Sequence, residues 1–315
     1  MKMILRHLLL LALFMATCTA LNAQFTLSGE FRPRGEFSHG YRNLAEEDQH
    51  ASFFISQRTR LNLDFSSEKF STGLVLQDVR NWGGQPQLVG NEDFATSIHQ
   101  AWLQYQILPD LAVRAGRMAL SYDNQRILGG VGWAQQARSH DLVLVKYEGL
   151  FNAHAGIAYH ENSDRSNNFY LGPDAYKTMQ FLWASHAFGD LKASFLFLNN
   201  GVPGPREIGP GGALIDQGIS FSQTVGPFVN YTLDQFAFTL GAYYQGGKDA
   251  AENSLSALNV NLEVAANLDD NIGLKLGYQI LSGTSYDQTE KNHSFTPFYG
   301  TKHKFNGFMD YFYVG

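Results

Sequence analysis

The sequence of 315 residues has one cysteine and, after its first two dozen residues, no long apolar run. Because Cys18 lies near the N-terminus, the rest of the chain can form neither a disulfide framework nor a thiolate metal site. No stretch of 18 apolar residues follows the N-terminal segment, which excludes membrane-spanning helices. A net charge of −6 argues against general binding to nucleic acid.

The sequence also lacks the short motifs of several enzyme classes. Gly-x-Ser-x-Gly, His-Glu-x-x-His and the glycine patterns of nucleotide-binding loops are absent. Ser185 and His186 are adjacent, but neighbours on a strand point to opposite faces and do not form a catalytic pair. Acidic residues at 46–48 and 92–93 would suit calcium, although solvated loop faces explain them better. We therefore expect no enzymatic activity, no cofactor and no metal.

The first 23 residues have the layout of a cleaved export signal. Two basic residues precede an almost entirely apolar Leu8–Met15, which is too short to span a membrane as a helix. Cleavage before Cys18 would instead give a lipoprotein, but Thr17 is unfavourable at that junction. We predict a signal peptide over 1–23 and a mature chain over 24–315.

The composition and periodicity of the mature chain favour an all-β antiparallel transmembrane barrel. The chain contains 24 Phe, 15 Tyr and 31 Gly, and exported, aromatic-rich chains of alternating segments are typical of outer-membrane barrels. A secreted all-β sandwich or solenoid is the alternative. A period of two predicts fourteen strands, over 24–37, 52–66, 69–81, 96–107, 111–121, 138–148, 150–160, 176–187, 190–199, 217–231, 235–246, 256–268, 271–282 and 304–314.

The connections between these predicted strands alternate between short turns and long polar loops. The long loops span 38–51, 82–95, 122–137, 161–175, 200–216, 247–255 and 283–303. Outer-membrane barrels have short periplasmic turns and long extracellular loops. The alternation therefore favours a barrel over a sandwich and places the mature N-terminus in the periplasm.

The stretch Phe53–Phe65 indicates which face of the sheet meets lipid. One parity carries Phe, Ile and Leu, and the other carries Arg58 and Arg60 beside Asp64. An arginine at the midplane of the outer face costs about 2–4 kcal/mol, so we predict that both arginines point into the lumen. A barrel of this size is too wide for side chains to fill, which predicts a water-filled path.

Arginine is concentrated in the first half of the chain, where ten of the 13 arginines lie between Arg32 and Arg138. Guanidinium groups pair with carboxylates and phosphates, and rings of arginine select anions. We predict a lumen wall formed by Arg32, Arg34, Arg58, Arg60, Asp64 and Arg114. In the alternative, a purely structural ladder, these arginines pair with Glu30, Glu36, Asp64, Asp78 and Asp141. For the cluster as a whole we favour the anion path.

Two regions carry spaced Arg, Trp and Gly residues that match a known pattern together. The first comprises Gln77-Asp78-Val79-Arg80-Asn81-Trp82-Gly83, Gly116-Arg117, Gln125-Arg126, Trp133, Arg138 and Asp141. The second comprises Gly277-Tyr278-Gln279, Tyr299-Gly300, His303-Lys304-Phe305 and Asp310-Tyr311-Phe312. Over most of the mature chain, these residues resemble the alginate export family of outer-membrane porins.

The resemblance implies a monomeric, eighteen-stranded barrel with an electropositive constriction that passes a polyuronate outward. By motif position, it implies pore-side roles for Arg80, Arg117, Arg126 and Arg138. Only about fourteen strands are visible, and Tyr313-Val314-Gly315 lacks the terminal aromatic residue that such barrels present to their assembly machinery. We therefore expect that the chain lacks C-terminal strands.

These observations predict a channel in the cell outer membrane that contacts outer-membrane lipid. Its expected solutes are anionic saccharides or small anions, and the resemblance adds export of an alginate-like polysaccharide. The alternative is a non-conducting structural or adhesive barrel whose extracellular loops bind partners. A barrel enzyme is a third and more remote hypothesis.

Overall fold

A computed structural model describes residues 24–40, 44–85, 96–160, 176–204, 207–208, 214–215, 218–269, 271–288 and 290–307. The predicted signal peptide, the acidic pair at 92–93 and residues 308–315 of the last predicted strand lie outside these residues. Within the described part of the chain, no helix is long and apolar enough to cross a membrane.

Thirteen strands follow one another in a single antiparallel sheet. They are β1 (Gln24–Ser38), β2 (Ser52–Ser66), β3 (Phe70–Asn81), β4 (Thr96–Leu108), β5 (Leu111–Met118), β6 (His140–Glu148), β7 (Asn152–Tyr159), β8 (Thr178–Phe188), β9 (Leu191–Pro203), β12 (Ile219–Leu233), β13 (Phe236–Lys248), β14 (Ser254–Asn267) and β15 (Gly273–Leu281). Among the described residues, no pairing joins β1 to β15.

Three very short strands complete the set. The strands β10 (Glu207–Ile208) and β11 (Leu214–Ile215) pair only with each other, and β16 (Lys291–Asn292) joins the main sheet as its fourteenth strand, parallel to β14. The all-β antiparallel prediction is thus confirmed, and thirteen of the fourteen predicted strands correspond to observed ones.

The fourteenth predicted strand is wrong where the structure describes it. His303–Asn306 forms a short helix, α1, in which the amides of Phe305 and Asn306 donate to the carbonyl of Lys302. The Phe305 ring packs against the guanidinium of Arg126, so this segment is held by interior contacts instead of a strand neighbour.

The sheet is apolar on its outward face and polar on its inward face. On β1, Phe31 and Phe37 are 66% and 73% exposed, while the alternate positions Glu30 and Arg32 are half-buried. On β12, Ser222 and Thr224 belong to the buried parity. This inversion of the pattern of a soluble sandwich is the arrangement expected of a sheet whose outer surface contacts hydrocarbon.

Two segments outside the long strands fold against the inward face and contribute buried apolar residues to the core there. We call residues 119–139, between β5 and β6, the inner loop, and residues 282–307 the C-terminal segment. The Gly129 amide donates to the Tyr299 carbonyl at 2.9 Å, and the Thr301 amide donates to the Gln125 carbonyl at 2.9 Å. The inner loop and the C-terminal segment therefore form one packed unit inside the sheet, centred on Leu128 and Tyr299.

Candidate pore site

The register of β1 and β2 brings three arginines to one carboxylate. Arg32 lies directly opposite Arg58, and Glu30 lies directly opposite Arg60. Arg58 Nη2 is 2.6 Å from Glu30 Oε1, Arg60 Nη1 is 3.9 Å from Glu30 Oε2, and Arg32 Nε is 4.0 Å from Glu30 Oε1. We call these four residues the arginine cluster, and it carries two more positive than negative charges.

The inner loop binds this cluster through its backbone. Arg58 Nη1 donates to the carbonyls of Gly132, Ala134 and Gln135 at 3.1–3.3 Å. Arg32 donates to the carbonyls of Gly132 and Ala134, both at 2.9 Å, and to the side-chain oxygen of Gln135. Because carbonyl groups are neutral, they satisfy the donors without cancelling the charge of the cluster.

Arg34 and Arg60 continue the same wall in different ways. Arg34 Nη2 pairs with Glu36 at 3.0 Å, so this pair is neutral, and its Nη1 donates to the Trp133 carbonyl. Arg60 Nε donates to Gln77 Oε1 at 2.8 Å. The second terminal nitrogen of Arg60, Nη2, is buried without a hydrogen bond to any described residue.

Two other predicted lumen residues on the inward parity stand apart from the cluster. Arg114 lies against the Trp102 ring, with Cζ 3.9 Å from its centroid, and donates to Gln104 Oε1 at 2.9 Å. No carboxylate of the described chain lies within ion-pairing distance of Arg114. Asp64 is exposed near the turn end of β2 and forms no ion pair with a described residue. It therefore leaves the charge of the arginine cluster intact.

Arg80 and Arg117 do not face the lumen, contrary to the prediction from motif position. Arg80 pairs across strands with Gln57, and Arg117 pairs with Ala101, positions that lie on the parity of the exposed apolar residues. Arg80 is held by both oxygens of Asp78, and Arg117 Nη1 lies 2.7 Å from Asp141 Oδ2. These carboxylates neutralise both arginines, which limits the cost of their outward position.

Arg126 and Arg138 tie the inner loop to the C-terminal segment. Arg126 is 1% exposed, its Cζ lies 4.8 Å from the centroid of the Phe305 ring, and its Nη1 is 3.5 Å from Asn306 Oδ1. Burial lowers the pKa of Arg126 to about 10. Arg138 Nη1 donates to the Gly300 carbonyl at 3.2 Å. Both side chains thus hold the packed unit together from within.

Sequence reasoning missed the way in which the far side of the inner loop is anchored. Asp123 Oδ1 accepts hydrogen bonds from Trp183 Nε1 at 3.0 Å and from Ser194 Oγ at 2.6 Å, on β8 and β9. Burial raises the pKa of Asp123, and these two hydrogen bonds act in the opposite direction. The signal for a buried loop was present in the sequence, since Ile127-Leu128 lies within a connection predicted to be polar and extracellular.

The inner loop therefore reaches from one part of the sheet to another. At one end it contacts Arg32 and Arg58 on β1 and β2, and at the other it contacts Ser194 on β9. The inner loop thus lies across part of the inward face of the sheet and against the arginine cluster. Within the described residues, no group of three or more His, Cys, Asp or Glu side chains is placed to hold a metal ion.

No protein-family model and no curated protein match this sequence. Among solved structures, the chain resembles the anion-selective porin from Comamonas acidovorans, with a TM-score of 0.52, 13% identity and coverage of 83% of this chain and 79% of that one. It resembles Pseudomonas aeruginosa OccK8 (OprE) with a TM-score of 0.54, 10% identity and coverage of 87% and 70%. It resembles Salmonella typhi OmpF with a TM-score of 0.51, 9% identity and coverage of 85% of this chain and 81% of that one. The chain has the fold of the outer-membrane porins, an antiparallel sheet of about fourteen strands.

Proposed function

We propose that this protein is an outer-membrane channel that favours anions, with the arginine cluster at the narrow part of its path. The observation that carries the proposal is the sharing of one carboxylate, Glu30, by three guanidinium groups. The remaining positive charge lies on an inward face, where low-dielectric walls focus the field onto passing solutes. The predicted signal peptide over 1–23 is in keeping with export to that membrane.

The cluster is also within reach of a solute. The Arg32 side chain is 31% exposed, although it makes five hydrogen bonds to the inner loop, and the Arg34 side chain beside it is 40% exposed. Arg58 is almost fully buried and acts on solutes through its charge alone. We therefore infer that Arg32 and Arg34 contact the passing anion, while Arg58 and Arg60 contribute to the potential.

The substrate class we propose is carboxylated saccharides and small anions, since a guanidinium fork pairs with a carboxylate through two parallel hydrogen bonds. Export of an alginate-like polysaccharide is the narrower hypothesis, and it rests on the motif resemblance. The outward positions of Arg80 and Arg117 depart from the pore-side roles which that resemblance implies. Block of the ionic current by oligouronates at lower concentration than by uncharged oligosaccharides of equal length would support the narrower hypothesis.

A second candidate function is a non-conducting structural or adhesive barrel. The observation that favours it is the volume taken up by the inner loop and the C-terminal segment, which bury Leu128, Phe295 and Tyr299 inside the sheet. Single-channel recording separates the two functions, because a closed barrel gives no current steps in planar bilayers. Stable current steps of uniform size from the purified full-length chain would rule this second function out.

The charge hypothesis is tested by the double substitution Arg58→Ala with Arg60→Ala. In water, a unit charge about 10 Å from an ion contributes about 0.4 kcal/mol. Loss of two charges should therefore change the permeability of an anion and of a cation about fourfold each, in opposite directions, and lower their ratio by up to about 16-fold at low salt. Added salt should reduce the difference because it screens both charges. Arg32→Gln provides a milder variant that leaves the Arg58–Glu30 pair in place.

The matched control is Arg80→Ala with Arg117→Ala, which also removes two arginines, one from β3 and one from β5. Because both lie on the outward face and are paired with carboxylates, their loss should leave the permeability ratio unchanged. An equal fall in both double variants would mean that total charge, and not the arginine cluster, sets the selectivity.

A further inference from the structure

A cavity of ≈490 Å³ lies against the inward face of β12–β15, beneath the start of the inner loop and α1. Its volume falls within the range of about 300–1,000 Å³ that is usual for sites of small molecules. None of the residues of the arginine cluster lines it. The cavity is therefore a separate feature of the lumen.

The wall of the cavity presents amide groups that have no partner. Asn261 and Gln279 are paired across β14 and β15 and share the inward face. Asn261 is 7% exposed, and its Oδ1 is without a hydrogen bond to any described residue, as is Gln279 Nε2. Asn230 Oδ1 accepts from the Thr239 hydroxyl at 2.9 Å, and its amide nitrogen has no partner in the described part of the chain. One acceptor and two donors on the residues of this wall are thus without partners among the described residues.

The charged groups around these amides are equal in number and opposite in sign. Lys275 Nζ lies 2.7 Å from Glu263 Oε1 on the neighbouring strand. Lys304 Nζ donates to the Asn124 carbonyl, and Asp123 is engaged by Ser194 and Trp183. The wall contains cations and carboxylates in equal number, so it offers no net attraction to an anion.

The backbone beside Asn261 leaves room for its side chain. Gly241 lies opposite Asn261 on β13, and a Cβ atom at Gly241 would overlap Asn261 Oδ1. Glycine at this position therefore leaves space for the Asn261 amide oxygen against the β13 backbone.

We propose that this cavity binds an uncharged, hydroxyl-rich solute of monosaccharide size. A hydroxyl group both donates and accepts, so neighbouring hydroxyls on one ring can satisfy Asn261 Oδ1 and Gln279 Nε2 together. Buried polar groups without partners are unfavourable, and a ligand that pairs them removes that cost. Binding must be weak enough for release along a conducting path, which corresponds to a dissociation constant on the order of 1 mM.

The test is equilibrium binding of D-glucose to the detergent-solubilised full-length protein. Saturation-transfer NMR detects the bound sugar. We expect saturable binding in the millimolar range, weakened about fivefold or more by Asn261→Ala and by Gln279→Ala, in keeping with the loss of one hydrogen bond each. The matched control is Asn62→Ala, which removes an inward asparagine of β2 that donates to Ser28 outside the cavity. Gln279→Ala alters a less buried residue and keeps the test available if Asn261→Ala does not fold.

Three results would overturn the proposal. They are an absence of saturable glucose binding, an equal loss of binding in Asn62→Ala, and tighter binding of glucuronate than of glucose that is lost in Asn261→Ala. Because the measurement needs no current, it succeeds or fails independently of the anion preference proposed for the arginine cluster.

Discussion

Arg58 reaches diagonally across the β1–β2 pair to Glu30, with Nη2 2.6 Å from Oε1, while Arg32 occupies the position directly opposite Arg58. Like charges that face each other across two strands destabilise a sheet. The carbonyls of the inner loop lie against both guanidinium groups and offset this repulsion. The charge of the wall and the position of the inner loop are therefore linked through the same two side chains.

The first prediction concerns Arg58→Ala. This substitution removes a donor from the Glu30 carboxylate and from three carbonyls of the inner loop, two of which keep their hydrogen bonds to Arg32. We expect the free energy of unfolding to fall by about 1–3 kcal/mol and the channel current to become larger and noisier as the loop loosens. Denaturant titration and single-channel recording measure the two effects.

Arg58→Lys is the control for that prediction. Lysine keeps the positive charge but not the fork that binds Glu30 and the loop carbonyls together. Anion preference should survive this change while current noise increases. Wild-type current noise and stability in Arg58→Lys would show that the fork geometry is unimportant.

The second prediction concerns the contact between the inner loop and the C-terminal segment. A Cβ atom at Gly300 would overlap the Arg126 carbonyl oxygen, so Gly300→Ala must push the two segments apart. Overpacking of this kind costs about 1–3 kcal/mol, and we expect proteolysis within 119–139 to become faster. Limited proteolysis with mass spectrometry measures the rate of cleavage within 119–139 directly.

Gly283→Ala is the matched control in the same segment. A Cβ atom at Gly283 meets nothing within 4 Å, so stability should change by less than about 0.5 kcal/mol. Equal sensitivity of the two variants to protease would contradict the packed unit described above.

The strands of this fold could be predicted from the sequence because their alternation is strong. The range predicted for β2 coincides with the observed Ser52–Ser66, and Arg58 and Arg60 face inward as parity indicates. Parity is a direct consequence of the pleat. Motif position carries no such information, so it predicts pore-side positions for Arg80 and Arg117 although their strands turn them outward.

The positions of the long connections could not be predicted in the same way. The length and polar residues of the inner loop predict an extracellular position, yet the loop folds onto the inward face. Its path depends on contacts with residues distant in sequence, such as Asp123 with Ser194 and Leu128 with Tyr299. It also depends on backbone that periodicity does not reveal, with positive φ at Asp123 and Val131.

The third prediction is a pH dependence that resides in Asp123. Burial raises the pKa of the Asp123 carboxyl in the folded state. The contribution of this carboxyl to stability is therefore complete below its pKa in the unfolded chain, about 3.9. That contribution is lost as the pH rises through the pKa of the carboxyl in the folded state. Asp123→Asn keeps an oxygen that can accept from Ser194 and Trp183 but carries no charge. We expect this variant to be at least as stable as wild type at pH 7.

Urea unfolding between pH 3 and pH 7 checks the sign of that effect. The advantage of Asp123→Asn should shrink as the wild-type carboxyl becomes protonated, while Asp123→Ala should be less stable than wild type throughout because both hydrogen bonds are lost. If the stability of Asp123→Asn relative to wild type were lower at pH 7 than at pH 3, folding would lower the pKa of Asp123 instead of raising it.

The central claim, that the arginine cluster makes this channel favour anions, is tested most directly by the zero-current potential of the wild-type protein in a planar bilayer. With a tenfold gradient of potassium chloride, the potential should take the sign set by chloride, and its magnitude should shrink in the double variant Arg58→Ala with Arg60→Ala. A potential of the sign set by potassium in the wild-type protein would contradict the claim.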